Sequence, residues 1–242
     1  MGAPPRELYP GAPLRAVAME VYFSGLLDAV ARMGEFQRRH ARELERLYVP
    51  RGAGTAGGDA DREGQRPVML LGDDRGLAVA NDQVAVITYD YAKGFEGFGA
   101  WGLPMLGEAL DTVGVLGDLT RVRFRYENLI DTGAYGTVDL GKFFRIVLPR
   151  GPGAVGLVGS DVHLAWRQLW PNGVVSVDLS VDEDAGEDGD DVLVVSIVAE
   201  RTGPIVRKEL AAALGEAHEM ALWTWEELIT DEFRETLRRP KE

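Results

Sequence analysis

The chain contains no cysteine among its 242 residues and only three histidines. The lack of cysteine excludes disulfides, thiolate nucleophiles and cysteine-based zinc sites. The histidines, His40, His163 and His218, are far apart in the sequence, which argues against a histidine-rich metal centre. We therefore expect neither a metal nor a cofactor.

Long apolar runs are missing as well. No segment approaches the roughly 20 apolar residues that cross a bilayer, and Pro and Arg occupy the N-terminal region where a secretory signal has its apolar core. These features predict a cytoplasmic protein without a membrane partner. The formal net charge of −13 opposes a general affinity for nucleic acid, because phosphate binding depends on Lys and Arg. We expect the partner to be another protein.

The same order of predicted elements occurs twice along the chain. A strand with alternating apolar residues opens each half, at residues 17–23 and at residues 121–126. Each strand is followed by a helix, several short strands and a long amphipathic helix. We therefore divide the chain into a flexible arm at 1–12 and two half-repeats, 13–118 and 119–242, which together form a single globular unit.

This order predicts an α+β fold in which two pseudo-repeats of strand, helix, strands and helix share one curved antiparallel sheet, similar to the TATA-binding protein. A helix-grip fold has nearly the same element order and is the alternative. In a helix-grip fold the last long helix closes a ligand cavity, which would here be lined by Trp166, Trp170, Trp223 and Trp225.

Three stretches have the periodicity of long helices. The first has an apolar stripe from Leu26 to Leu47, and the second covers residues 95–113. The last starts at Pro204 and has its stripe at residues 210–228. Thr230 is predicted to cap a final helical segment.

Two further segments lack apolar periodicity. Residues 51–66 are rich in Gly and Asp, and residues 182–191 are almost entirely Asp, Glu and Gly. Neither segment can bury enough apolar area to offset the entropy of ordering. We expect both loops to be mobile and to be cleaved first in limited proteolysis.

Three arginines at alternate positions of one strand form the candidate binding surface. Because alternate residues of a strand point to the same face, Arg121, Arg123 and Arg125 are predicted to lie side by side. Glu20 and Asp178 belong to the same predicted face. The favoured interpretation is a row of cross-strand salt bridges. The alternative is a surface that binds an anion or a partner, since aligned guanidinium groups match planar anions.

Several catalytic-looking patterns lack the context that their chemistry needs. The glycine patterns at 52–57 and 151–156 are not placed between a strand and a helix, as a dinucleotide site requires. Ser160, Asp161 and His163 offer a hydroxyl, a carboxylate and a base, but neighbouring residues of a strand point to opposite faces. We therefore predict no catalytic residues, which favours a protein that is not an enzyme.

Three blocks of sequence carry a family resemblance: residues 13–23, residues 123–130, and His218 followed by residues 225–233. Over most of its length the chain resembles an uncharacterised, sporadically distributed bacterial family of conserved hypothetical proteins. Where that family tends to read Arg-Tyr-Ile-Asn-Arg-Ile, residues 125–130 read Arg-Tyr-Glu-Asn-Leu-Ile, so any role of the second arginine is absent. The resemblance implies no reaction. Sporadic distribution is typical of antiviral defence and mobile-element cargo, so it implies an accessory role in such a system.

The leading hypothesis is a non-enzymatic binding or regulatory protein, because no convergent catalytic set and no cofactor motif is found in the sequence. One alternative is a small-ligand-binding or hydrolytic protein of helix-grip type. The other is a nucleotide or nucleic-acid binder that uses the arginine row.

Overall fold

The computed structural model describes residues 9, 12–26, 28–48, 67–131, 140–145, 163–182 and 192–239. Several predictions concern residues outside these ranges. They are the predicted loop at 51–66, the predicted loop at 182–191 except for Asp182, both glycine patterns and the pair Ser160 and Asp161. Of the predicted flexible arm at 1–12, only Tyr9 and Ala12 are described.

The described strands form a single open antiparallel sheet, and the fold is α+β. The sheet contains nine strands in the order β2-β3-β4-β5-β1-β6-β9-β8-β7. Their bounds are β1 Leu14–Tyr22, β2 Arg46–Tyr48, β3 Val68–Leu71, β4 Arg75–Ala80, β5 Gln83–Thr88, β6 Leu119–Asp131, β7 His163–Trp170, β8 Gly173–Asp182 and β9 Val192–Ile205.

The structure describes five α-helices. Their bounds are α1 Ala29–Arg39, α2 Gly94–Val113, α3 Leu140–Phe143, α4 Leu210–Leu228 and α5 Asp231–Leu237. A 3-10 turn at Arg207–Glu209 precedes α4. None of the described helices has the combination of length and apolar character needed to cross a bilayer.

The chain divides into two units by its internal contacts. Unit 1 contains Met1–Ala16, Phe124–Glu200 and Gly215–Glu242, and unit 2 contains Val17–Arg123 and Arg201–Leu214. Strands β1, β6 and β9 each contribute residues to both units. The predicted half-repeats 13–118 and 119–242 stay a prediction.

In unit 2, α2 packs against one face of β1 and β5. Val17, Met19 and Val21 of β1 are almost fully buried, and they alternate with residues of the opposite face. Gly102 of α2 lies directly over Met19 and Val86: a Cβ atom at this glycine would be 2.3 Å from Met19 Cε and 3.1 Å from Val86 Cγ2. The absence of a side chain at Gly102 therefore sets how closely the helix approaches the sheet.

In unit 1, α4 packs on β6 through His218. The His218 ring centre lies 5.1 Å from that of Phe124 and 6.2 Å from that of Tyr126. Phe143 packs edge to face on Phe233, with ring centres 5.0 Å apart, and this contact joins α3 to α5. His218 therefore has a packing role on the face of α4 that meets β6.

Most element predictions are confirmed where alternation or helical periodicity extends over many residues. The predicted helix at 95–113 corresponds to α2, which continues through Pro104. Strand β6 contains the strand predicted at residues 121–126. The Thr230 hydroxyl accepts a hydrogen bond from the Phe233 amide at 3.1 Å, as a cap of α5 should.

The end of the first helix is predicted wrongly. The stripe extends to Leu47, but α1 ends at Arg39, and the chain turns through hydrogen bonds from Glu43 N and Leu44 N to His40 O. Leu47 then pairs with Leu70 in the β2–β3 ladder. Strand pairing thus overrides a local helical pattern.

The predicted start of the last long helix is also wrong. Strand β9 continues through Pro204, and α4 begins only at Leu210, after the 3-10 turn. Gly203, whose φ is 115°, adopts a backbone conformation that other residues rarely take. Pro204, which the sequence pattern places at the start of the helix, is therefore part of strand β9.

The close approach of α2 to the sheet predicts opposite effects for two glycines of the same helix. Gly102→Val should lower the free energy of unfolding by about 1–3 kcal/mol, because the added atoms overpack the contact with Met19 and Val86. Gly107→Ala is the matched control, since a Cβ atom there meets nothing within 4 Å. It should raise stability by about 0.5–1 kcal/mol through helix propensity. Urea denaturation measures both, and a Gly102→Val protein as stable as wild type would contradict the packing.

Candidate functional site

The candidate site of unit 2 lies on the sheet face opposite α2. Glu20 and Tyr22 alternate with the buried residues Met19 and Val21 on β1, so they point to the other face. Gln83 of β5 is the register partner of Tyr22. The start of β6 adds Arg121 and Arg123. We call Glu20, Tyr22, Arg121 and Arg123 the Tyr22 cluster.

A chain of hydrogen bonds connects three members of the Tyr22 cluster. Arg123 Nη1 donates to the Tyr22 hydroxyl at 2.9 Å, and this hydroxyl donates to Glu20 Oε2 at 2.7 Å. The amide of Gln83 also donates to Glu20 Oε2, at 3.4 Å. Arg123 Nη1 lies 4.0 Å from the same carboxylate oxygen. The negative charge of Glu20 is therefore compensated on the sheet face itself.

Two guanidinium groups lie over the ring of Tyr22. Arg121 Cζ is 3.8 Å and Arg123 Cζ is 5.0 Å from the ring centre. Such cation–π contacts hold a guanidinium group in a defined plane. Tyr22 is thus in contact with both arginines through its ring, and with Arg123 through its hydroxyl as well.

The Tyr22 cluster is largely removed from solvent. Glu20 is 5% and Tyr22 is 9% exposed, and the Arg123 side chain is 19% exposed. Burial, followed by the nearby Glu20 carboxylate, raises the pKa of the Tyr22 hydroxyl. Tyr22 therefore stays protonated and remains a hydrogen-bond donor to Glu20.

The structure brings together three of the five predicted surface residues, Glu20, Arg121 and Arg123. Arg125 belongs to unit 1 and is half-buried. Asp178 of β8 pairs with His163 Nε2 at 3.0 Å, and both side chains are at least half exposed. The carboxylate that contacts Arg123 is thus Glu20.

An open depression of about 600 Å³ adjoins the Tyr22 cluster. Exposed hydroxyls line it together with Asp82 and Arg121. The lining residues are Tyr22, Phe23, Ser24, Gly25, Asp82, Thr120, Arg121 and Thr202. Hydroxyl groups both donate and accept hydrogen bonds. The depression therefore presents groups of both signs and both hydrogen-bonding types to a ligand.

Unit 1 contains a second buried carboxylate, which sequence reasoning missed. Glu226 of α4 is 6% exposed and accepts from the Tyr9 hydroxyl, which lies 2.8 Å from Oε1 and 3.0 Å from Oε2. Arg234 Nε donates to Glu226 Oε2 at 3.1 Å. Tyr9 and Glu226 are 217 positions apart, so no spacing in the sequence indicates this contact.

His40, the remaining histidine, packs on one side chain and pairs with another. His40 stacks on Phe36, with ring centres 4.3 Å apart, and its Nε2 lies 3.0 Å from Glu108 Oε2. Arg39 Nη1 donates to the other oxygen of Glu108 at 2.5 Å. These contacts join the end of α1 to α2. Within the described ranges, no group of three or more His, Asp or Glu side chains could hold a metal ion.

Comparison with known proteins identifies no family for this chain. The chain matches no protein-family model, and it matches none of the curated proteins with which it was compared.

The hydrogen-bond chain predicts that Glu20→Ala lowers the free energy of unfolding by about 2 kcal/mol, because the Tyr22 hydroxyl and Arg123 lose a buried acceptor. The double variant Glu20→Ala with Arg123→Ala should lose less than the sum of the two single changes, since the residues interact. Chemical denaturation measures the cycle. His163→Ala, which removes an exposed pair, is the control and should cost less than about 1 kcal/mol. Additive effects of the two changes would show that Glu20 and Arg123 are not coupled.

Tyr9 makes the free energy of unfolding depend on pH in the alkaline range. Burial, followed by the hydrogen bond to Glu226, raises the pKa of Tyr9 to about 12. The folded state therefore holds the Tyr9 proton more tightly than the unfolded state, whose tyrosines titrate near pH 10. The stabilisation is complete below about pH 10 and is lost as the pH rises toward about 12. The stability difference between wild type and Tyr9→Phe, measured by denaturation, should shrink over this interval. A difference that stays constant with pH would contradict the assignment.

Proposed function

We propose that the protein is a non-enzymatic binding or regulatory protein that contacts another protein through the Tyr22 cluster and its depression. The observation that carries the proposal is the open shape and polar lining of this depression. Small-molecule sites are concave and mostly apolar, and they bury most of their ligand. A shallow surface with hydroxyls, Asp82 and Arg121 suits a segment of a protein partner, which brings its own polar groups.

The contacts within the Tyr22 cluster favour a protein partner over a phosphate ligand. Arg123 already directs one guanidinium nitrogen at the Tyr22 hydroxyl, and Glu20 supplies a negative charge beside it. A phosphate would have to compete with this carboxylate. The net charge of −13 adds a long-range repulsion against polyanions. A nucleotide or nucleic-acid binder that uses Arg121, Arg123 and Arg125 is therefore the second hypothesis, and no cofactor is expected.

The helix-grip alternative depends on the tryptophans as cavity walls. Trp225 is 8% exposed and packs edge to face on Phe233, with ring centres 6.4 Å apart. That ring supports the contact between α4 and α5. This packing favours a structural role for Trp225, so we place the small-ligand or hydrolytic hypothesis behind the protein-binding one.

We also propose that the sheet consists of two pseudo-repeats related to the architecture of the TATA-binding protein. The support is the strand order, β2-β3-β4-β5-β1 followed by β6-β9-β8-β7. In each group, the strand that comes first along the chain lies next to the strand that comes last along the chain. The remaining strands of the group then lie in the reverse of their chain order. The same connection is thus made twice along the chain.

The biological setting that we propose rests on the resemblance to the sporadically distributed bacterial family. Such distribution is typical of accessory proteins of antiviral defence or mobile-element systems. A regulatory protein of this kind acts in the cytoplasm through contacts with the other proteins of its system. The genes that neighbour its own gene are therefore the first source of partner proteins to test.

A binding screen against purified products of neighbouring genes, nucleotides and oligonucleotides tests the proposed surface. We expect one of the gene products to bind wild type, and we expect Arg121→Ala with Arg123→Ala to weaken that binding at least about 10-fold, the effect of losing charged hydrogen bonds. Arg42→Ala, at an exposed position of unit 2, is the matched control and should bind like wild type. Calorimetry with each purified pair gives the affinities.

The other results of the screen have defined meanings. Binding of a nucleotide or oligonucleotide that the double variant loses supports the second hypothesis instead. Equal binding of a gene product by wild type and the double variant removes the Tyr22 cluster as the contact surface. Thermal melting of all variants is measured alongside, so that loss of folding is recognised.

A further inference from the structure

Strand β7 is an outer strand of the sheet, and among the described strands only β8 pairs with it. We propose that the free edge of β7 pairs with the same edge of a second copy of the chain, so that two sheets join across a two-fold axis. Strand β7 belongs to unit 1 and the Tyr22 cluster belongs to unit 2, so the inference is independent of the proposed function.

The backbone of β7 presents hydrogen-bonding groups along this edge. The β7–β8 hairpin closes with the pair Trp170 and Gly173 across a two-residue turn, and such a closing pair exchanges two hydrogen bonds. Hydrogen-bonded pairs alternate along an antiparallel ladder, so every second residue of β7 directs its N–H and C=O groups away from β8. We call these residues the outward residues of β7; they are His163, Ala165, Arg167 and Leu169.

The edge lacks the features that usually prevent edge strands from pairing. Such features are proline, bulges and several charged side chains. Strand β7 contains no Pro, Asp or Glu, and its pairing with β8 is continuous over all 8 residues. Arg167 is its only residue with a permanent charge, and Leu169 is 84% exposed. The edge is therefore open to a further strand.

A second copy of β7 fits this edge in one register that pairs all the outward residues. When the two-fold axis passes at Trp166, Ala165 lies opposite Arg167 of the second copy, and His163 lies opposite its Leu169. An axis at Arg167 would place two guanidinium groups opposite each other, which is unfavourable. It would also leave His163 beyond the end of the second strand. The sequence of β7 is thus complementary to itself about Trp166.

The side chains along β7 also suit a second copy of an acidic chain. The net charge of −13 opposes self-association in general, but Asp178, the carboxylate of β8 beside β7, is paired with His163 at 3.0 Å. Trp166 is half-buried on the face that meets α4, where Gln168 Oε1 accepts from the Thr224 hydroxyl at 3.5 Å. In the proposed register the two Trp166 side chains lie opposite each other and cover apolar area that the single chain leaves exposed.

Sedimentation velocity of the full chain over a range of concentrations tests the association. We expect a monomer–dimer equilibrium for wild type. Ala165→Pro removes an outward N–H at an edge position where proline is tolerated, so the dimer dissociation constant should rise at least about 10-fold. Ala165→Ser keeps this N–H and should dimerise like wild type. Leu47→Lys changes an exposed leucine of β2, the other outer strand, and should also dimerise like wild type.

Thermal melting of each variant shows whether it is folded. The proposal is overturned if wild type is a monomer at every concentration up to its solubility limit. It is also overturned if folded Ala165→Pro dimerises as tightly as wild type, or if Leu47→Lys disrupts the dimer as strongly as Ala165→Pro does.

Single cysteines test the register without the proline variant, and they are unambiguous because the chain contains no other cysteine. Trp166→Cys places two cysteines opposite each other with Cα atoms about 4.5 Å apart, so mild oxidation should join two chains. Gln168→Cys lies on the same face and is the matched control, since its two copies are about 14 Å apart along the strands. Electrophoresis without reductant measures both. Failure of Trp166→Cys to cross-link, or equal cross-linking of both variants, overturns the proposal.

Discussion

A buried carboxylate must be compensated by hydrogen-bond donors, and among the described residues each unit contains one such group. Glu20 in unit 2 is 5% exposed and Glu226 in unit 1 is 6% exposed. In both cases a tyrosine hydroxyl donates to the carboxylate, and an arginine supplies the positive charge. Removing a donor from such a group leaves an uncompensated charge, which is far more destabilising than the loss of an exposed ion pair.

The same constraint explains why the arginine row is not a uniform cationic strip. Arg123 is directed toward Tyr22 and Glu20, whereas Arg121 stacks on the Tyr22 ring and lines the adjacent depression. Neighbouring positions of one strand face can therefore have different roles. Arg123 stabilises the folded sheet, and Arg121 lines the depression that we propose as the contact surface. This division favours recognition of a polar protein surface, which presents groups of both signs.

The sequence predicts the fold and the site to different extents. Alternation over many residues identifies β1 and β6, and it places Glu20 on the same face as Arg123. It cannot show that Tyr22 donates to Glu20, since that depends on side-chain conformation. The end of α1 is missed because the pairing of β2 with β3 is a long-range interaction. The contact of Tyr9 with Glu226 is missed for the same reason, because its residues are 217 positions apart.

The two tyrosine–glutamate pairs differ in how the chain brings them together. Tyr22 and Glu20 are two positions apart on β1, so the strand alone holds them side by side. Their contact persists as long as the strand is formed, which suits a permanent surface. The pairing of Tyr9 with Glu226 joins residues that are 217 positions apart within unit 1, so this contact forms only when the unit folds.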